Sequence, residues 1–247
     1  MPQRYSVSSV LLYLLFMAGI AVAQNAPLDL DKYQSFEGFI DTWWDEETGR
    51  MLVRVDEFDT PFIYQASLPR GVGSNDIGLD RGQLGTTKIV RFLRSGPKVL
   101  LVEDNLQYRA DSENATERRA IDESFARSVI WGFVDIDDND DSTVIDATAF
   151  FVRDAHGVGA RLAMMGEGSF NVDDARSAIF LPRTKAFPDN TEIEAIVTLV
   201  GTPTGTHLRS VMPDRNALTV HVHHSFIRLP DDNYEPVPYE PRSGVIG

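Results

Sequence analysis

The run ALTVHVHHSFIRL at residues 217–229 carries apolar side chains at Leu218, Val220, Val222 and Phe226, with polar ones interleaved. A period of two belongs to a β-strand with one face on a core, and a long stretch without glycine or proline leaves little else for it to be. The same signature recurs along the chain. FEGFIDTWWDEETGRMLVRVD (36–56) reads as strand, turn, strand, with Asp45 to Gly49 as the polar connection and Met51, Val53 and Val55 alternating against Leu52 and Arg54. FDTPFIYQASL, TKIVRFLR, PKVLLVEDNLQYRA, VIWGFVDID, STVIDATAFFVRD and EIEAIVTLVG continue the pattern, punctuated by turns such as Ser95-Gly96-Pro97 and DNDDS at 138–142. Hairpins in series predict a mainly β fold, an antiparallel meander forming a sandwich or a bent, barrel-like sheet.

One segment has a different period. Ile121, Phe125 and Val129 fall at i, i+4 and i+8, with charged residues on the other faces, and Asn114 precedes Glu117 as a cap pair. This predicts one amphipathic helix near 115–128. Residues Val172 to Ala178 offer one further short helical turn.

The ends read differently from the middle. Arg4, the apolar run VLLYLLFMAGIAVA and the small-x-small site Ala21-Val22-Ala23 predict a cleaved signal peptide at 1–23. The chain is then exported, to the periplasm, the outer surface or the medium. No stable membrane span is expected after cleavage, because no later stretch is apolar enough. Residues 24–35 read as an N-terminal linker, 36–229 as one β-rich domain, and the proline-rich PDDNYEPVPYEPRSGVIG (230–247) as an extended linker. A formal charge of −14 without a basic cluster argues against nucleic acid as a partner. The absence of cysteine excludes disulfides, thiol catalysis and cysteine-ligated zinc.

Several stretches invite a chemical reading. GVGSNDIGLDRGQLG (71–85) contains Gly71, Gly73, Ser74, Asn75, Asp76, Asp80, Arg81 and Gly82, but it lies between strands and matches neither the P-loop nor GxGxxG. Its glycines suit positive φ and close backbone approach, with Asp80 and Arg81 as a bidentate pair locking the loop; the functional alternative is a ligand or docking loop. Asp135, Asp137, Asn139, Asp141 and Asp146 have the look of a calcium loop. An EF-hand starting at Asp135 would need glycine where Asp140 stands and glutamate where Asp146 stands, so an acidic hairpin turn explains them as well. Alternation puts His221 and His223 on one strand face, a spacing able to share zinc, and turns His224 away. No third ligand can be assigned, and a histidine-bearing strand face needs no metal. Trp43 and Trp44 suit sugar stacking or plain packing. Neither HExxH nor GxSxG occurs, so no catalytic residue is assigned.

Taken in order, GVGSNDIGLDRGQL, VRFLRSGPKVLLVEDNLQYRA, ESFARSVIWGF, VIDATAFFVRDA, SFNVDDARSAI, FPDNTEIEAIVTL and HHSFIRLPDDNYEPVPYEPRSG resemble a domain of unknown function at the N-terminus of large exported bacterial zinc-dependent metalloproteases. The resemblance runs from about Phe36 to Gly244. It implies a non-catalytic accessory module that docks on or shields a protease domain in cis, either as a fragment of a longer frame or as a short form. The HExxH domain that follows in that family has no counterpart here, so zinc is expected only in that domain and no cofactor in this chain. The alternative is a stand-alone exported module binding peptide, glycan or calcium.

Overall fold

The computed structural model describes residues 28–108, 112–138, 142–231 and 233; the expected signal peptide and nearly all of the C-terminal linker lie outside them. Fourteen strands join into one antiparallel sheet: β1 (Gln34–Phe36), β2 (Thr42–Asp45), β3 (Arg50–Val55), β4 (Phe62–Arg70), β5 (Gln83–Leu84), β6 (Lys88–Ser95), β7 (Lys98–Glu103), β8 (Ser128–Asp138), β9 (Thr143–Asp146), β10 (Gly168–Val172), β11 (Ala178–Ile179), β12 (Lys185–Phe187), β13 (Asn190–Pro203) and β14 (Ala217–Arg228). Their order is β1-β2-β3-β9-β8-β7-β6-β4-β14-β13-β10, with β5 on β4 and both β11 and β12 on β13. The mainly β, bent barrel-like reading therefore holds.

The sheet is not hairpins in series throughout. β3 leaves β4 and pairs with β9, while β4 inserts between β6 and β14. Both exchanges are nonlocal, and both bring buried faces together, with Tyr64 opposite Phe226 and Ala66 opposite His224. The curled sheet nearly closes where the β1–β2 connection meets the far edge: Phe39 N donates to Phe187 O at 2.8 Å, and Ile40 N donates to Thr191 Oγ1 at 3.0 Å.

Alternate residues of the long strands fill the interior. Tyr64, Phe150, Phe151 and Phe226 stack there with ring centroids 5.3–6.3 Å apart, each side chain contributing about 1.5–3 kcal/mol by burial. A smaller cluster of Trp43, Leu52 and Val144 lies apart from the main core, with Leu28, Leu30 and Tyr33 packed on it. Residues 28–35, expected as linker, thus belong to the fold, and the sheet begins at Gln34 rather than Phe36. Trp43 is buried in that cluster with Arg54 over its ring, whereas Trp44 is half-buried.

The expected helix forms as α1 (Ala115–Ser124), capped by Asn114 Oδ1 on the amide of Thr116. It stops short of 128 because Phe125 turns extended to stack on Tyr108, and Ser128 and Val129 are drawn into β8 against β7. Tertiary pairing overrides the helical period there. A turn at Asp174–Arg176 falls inside the stretch expected to offer one. Three further short helices, α2 (Thr148–Phe151), α3 (Val158–Met164) and α4 (His207–Val211), escaped the periodicity. Among the described residues no helix is long and apolar enough to cross a membrane.

Candidate functional site

The glycine-rich loop leaves β4 and returns as β5 along the same strand. Val72, Ile77 and Leu79 are buried, so the loop is pinned by its apolar residues. Gly71 is required by close approach: a Cβ there would lie 2.1 Å from Leu79 O, in the turn closed by Val72 N donating to that oxygen at 2.9 Å. A second anchor comes from α3, whose Arg161 Nε donates to Ile77 O at 2.7 Å. Asp154 holds that helix by accepting from the amides of Gly157, Val158 and Gly159. The expected Asp80–Arg81 pair does not form. Both side chains point outward, because the buried residues already fix the backbone and leave the polar ones to solvent. Ser74 is buried, Gly73, Asn75 and Gly82 are exposed, and Asp76 lies 3.4 Å from the imidazole of His207.

His221 and His223 do share the outer face of β14, and His224 points into the core. Opposite them β13 presents Glu192 and Glu194 on the same face. His221 Nδ1 donates to Glu194 Oε1 at 2.7 Å, and His223 Nε2 donates to Glu192 Oε2 at 2.7 Å. His223 Nδ1 also lies 3.4 Å from Glu194 Oε2. Glu192 accepts from Ser225 and Asn190 as well. Burial alone would lower the His223 imidazole, but the hydrogen bond and charge of Glu192, with Glu194 beyond, outweigh it and raise the group above its ordinary value. Burial likewise pushes Glu192 up, and its bonds to His223, Ser225 and Asn190 bring it below the usual value. Both ring nitrogens of His223 thus face carboxylates, Nε2 at 2.7 Å and Nδ1 at 3.4 Å.

A bulge then completes the site. His221 faces Arg70 while His223 faces Ser67, so β4 holds an extra residue at Leu68-Pro69. Proline suits a bulge because it has no N–H to offer the ladder. The bulge sets Arg70 beside His221 on the outer face, where its guanidinium lies 5.5 Å from the Phe180 ring, itself 4.8 Å from His221. Arg81 and Gly82 of the loop, Pro69 and Arg70 of β4, Arg183 and Glu194 enclose a cleft of about 380 Å³. Among the described residues no carboxylate forms an ion pair with Arg70, Arg81 or Arg183. The result is a cationic rim over a floor whose carboxylates are already bonded to imidazole, an arrangement suited to holding an anionic group.

Of the residues singled out in the sequence, the structure joins Arg81 and Gly82 of the loop to the strand face of His221 and His223. It adds Arg70, Arg183, Glu192 and Glu194, which sequence reasoning missed. The EIE of β13 and the HVH of β14 share a period of two, and the hairpin register would have paired them. Asp135 and Asp137 lie on β8, Asp146 accepts from the Thr148 amide and hydroxyl, and Asn139 and Asp141 fall outside the described residues. Among the described residues no three His, Cys, Asp or Glu side chains form a group that could hold a metal ion.

His224 belongs to a separate, interior chain of hydrogen bonds. Its Nε2 donates to Phe151 O at 2.9 Å, its Nδ1 accepts from Tyr64 Oη at 2.8 Å, and that oxygen accepts from Arg153 Nη2 at 3.2 Å. Burial, with the Arg153 charge, pushes the His224 imidazole down to about 3. Burial pushes the Tyr64 phenol up to about 12.

No curated protein and no solved structure matches the chain. A family model, Domain of unknown function (DUF5117), matches residues 82–247, which take in the end of the loop, β5 to β14 and every residue of the histidine–glutamate face. By that match over more than half of its length, the chain belongs to the DUF5117 family.

Proposed function

We propose that this chain is the non-catalytic N-terminal accessory module of an exported zinc-dependent metalloprotease, docking on or shielding the protease domain that carries the zinc. The observation that carries the reading is the build of the 71–85 loop. Buried Val72, Ile77 and Leu79 and the Arg161 hydrogen bond stiffen it, while Asn75, Asp76, Asp80, Arg81 and Leu84 stand outside, Leu84 with 70% of its surface exposed. A stiff loop offering an apolar residue at its end loses little entropy on docking. Export by the N-terminal signal and a protease partner in cis complete the proposal. The test is hydrogen exchange on the protein expressed from its full reading frame, compared with residues 24–247 alone. Added protection of the 71–85 amides in the longer protein is expected; a frame without an HExxH domain, or unchanged exchange, would overturn the reading.

The second reading, a stand-alone exported module for peptide, glycan or calcium, is favoured by a groove of about 800 Å³ lined by Trp44, Trp131, Val134 and Ile136. Two indoles lining one groove suit sugar rings or peptide side chains. A rise in unfolding temperature with an oligosaccharide, a peptide or millimolar calcium would support the matching version, since a ligand held only by the folded state raises its apparent stability.

A further inference from the structure

We infer that the cleft between the glycine-rich loop and the outer face of β13 and β14 is a binding site for the carboxylate of a peptide, gripped by Arg70, Arg81 and Arg183. Three arginines from three separate elements line one cleft: the β4 bulge, the loop and the turn Leu181–Arg183. In a chain of net charge −14 such cations would ordinarily be paired with the surplus of carboxylates, yet none of the three has an ion-pair partner among the described residues. Arg70 is held in place by stacking on Phe180, and Arg81 is carried by a backbone fixed through Gly82 N donating to Leu68 O at 2.7 Å. Guanidinium forks match a planar oxyanion in two-bond fashion. The volume, about 380 Å³, takes one or two residues of a peptide.

The floor selects among anions. Glu194 is 4% exposed and spends its oxygens on His221 and His223, so it disfavours negative charge without itself claiming the arginines. For a doubly charged phosphate both this repulsion and the attraction to the arginines double, so the discrimination rests on the peptide N–H beside a carboxylate, which the remaining lone pairs of Glu194 can accept and which phosphate lacks. The site shares Arg81 with the proposed docking loop, but its binding is read on residues 24–247 without a protease domain, so failure of the docking reading leaves it standing.

The test is calorimetric titration of residues 24–247 with three short peptides, one with a free C-terminus and no acidic side chain, one with the same sequence amidated, and one amidated but carrying glutamate, with inorganic phosphate in a fourth arm. Binding of either carboxylate-bearing peptide at least about tenfold tighter than the amidated neutral one is expected, and the comparison tells a chain terminus from a side chain as the source. Arg81→Gln and Arg183→Gln, both at exposed positions, should each weaken that binding by about tenfold or more with unfolding temperature unchanged. Equal affinity for all three peptides, no binding by any, tighter binding of phosphate, or full affinity in both variants would overturn the assignment.

Discussion

His224 is a basic side chain sealed inside a β core, and its position makes the acid stability of the protein calculable. The imidazole is fully buried, accepts at Nδ1 from Tyr64 and donates at Nε2 to Phe151 O, so the neutral tautomer satisfies both neighbours. Protonation would place a second N–H against the Tyr64 oxygen and a charge near Arg153. The group is accordingly pushed down to about 3 from its ordinary 6.5. A base depressed in the native state contributes its full stability above the unfolded value and loses it as pH falls from 6.5 towards 3, at about 1.4 kcal/mol per pH unit. Between pH 6.5 and 5.0 the loss is about 2 kcal/mol, before Glu192 and Asp45, both depressed carboxylates, begin to matter. The perturbation is His224→Gln, whose amide reaches the same two partners without titrating. Urea unfolding should show the variant less stable at pH 7.5 by about 1–3 kcal/mol. That gap should close by about 2 kcal/mol at pH 5.0. His223, raised and therefore contributing in the opposite sense, is present in both proteins and cancels. Parallel stability curves from pH 7.5 to 5.0 would refute the reasoning.

Three other changes probe the same framework. Tyr64→Phe removes the hydroxyl between Arg153 and His224 and strands both, which costs about 1–3 kcal/mol and, for a domain of this size, about 2–4 °C of unfolding temperature per kcal/mol by scanning calorimetry; an unchanged temperature would show the chain of bonds to be dispensable. Gly71→Ala puts a methyl 2.1 Å from Leu79 O and 2.8 Å from Asp80 C, backbone atoms that cannot swing aside, so a loss of about 1–3 kcal/mol and faster limited proteolysis within 71–85 are expected, and wild-type resistance would contradict the packing. Asp154→Ala removes the acceptor for three amides at the start of α3 and should cost about 1 kcal/mol while loosening the 71–85 loop through Arg161; hydrogen exchange in that loop, unchanged, would disconnect the two.

Why the fold was legible and half of the site was not comes down to what a period can encode. Alternation in ALTVHVHHSFIRL states which residues face the core, and the structure places Val220, Val222, His224 and Phe226 on the core face with His221 and His223 on the opposite one, where Phe180 covers His221. Alternation says nothing about which strand lies alongside, so the exchange of β4 into the β6–β14 gap, which delivers Arg70 to His221, was invisible until the pairing was known. The short helix α3 was invisible for a different reason: seven residues span two turns, too few for a helical period to stand out, and its start is fixed by Asp154 reaching forward to three amides rather than by a residue directly at the cap. Charge misled in the loop, where adjacent Asp80 and Arg81 suggested a pair. The buried Val72, Ile77 and Leu79 carry the anchoring instead, and that release leaves Arg81 available to the cleft. The arginines of the proposed site are therefore marked out by what they do not touch, and their lack of an ion-pair partner among the described residues depends on strand pairing that a period of two does not encode.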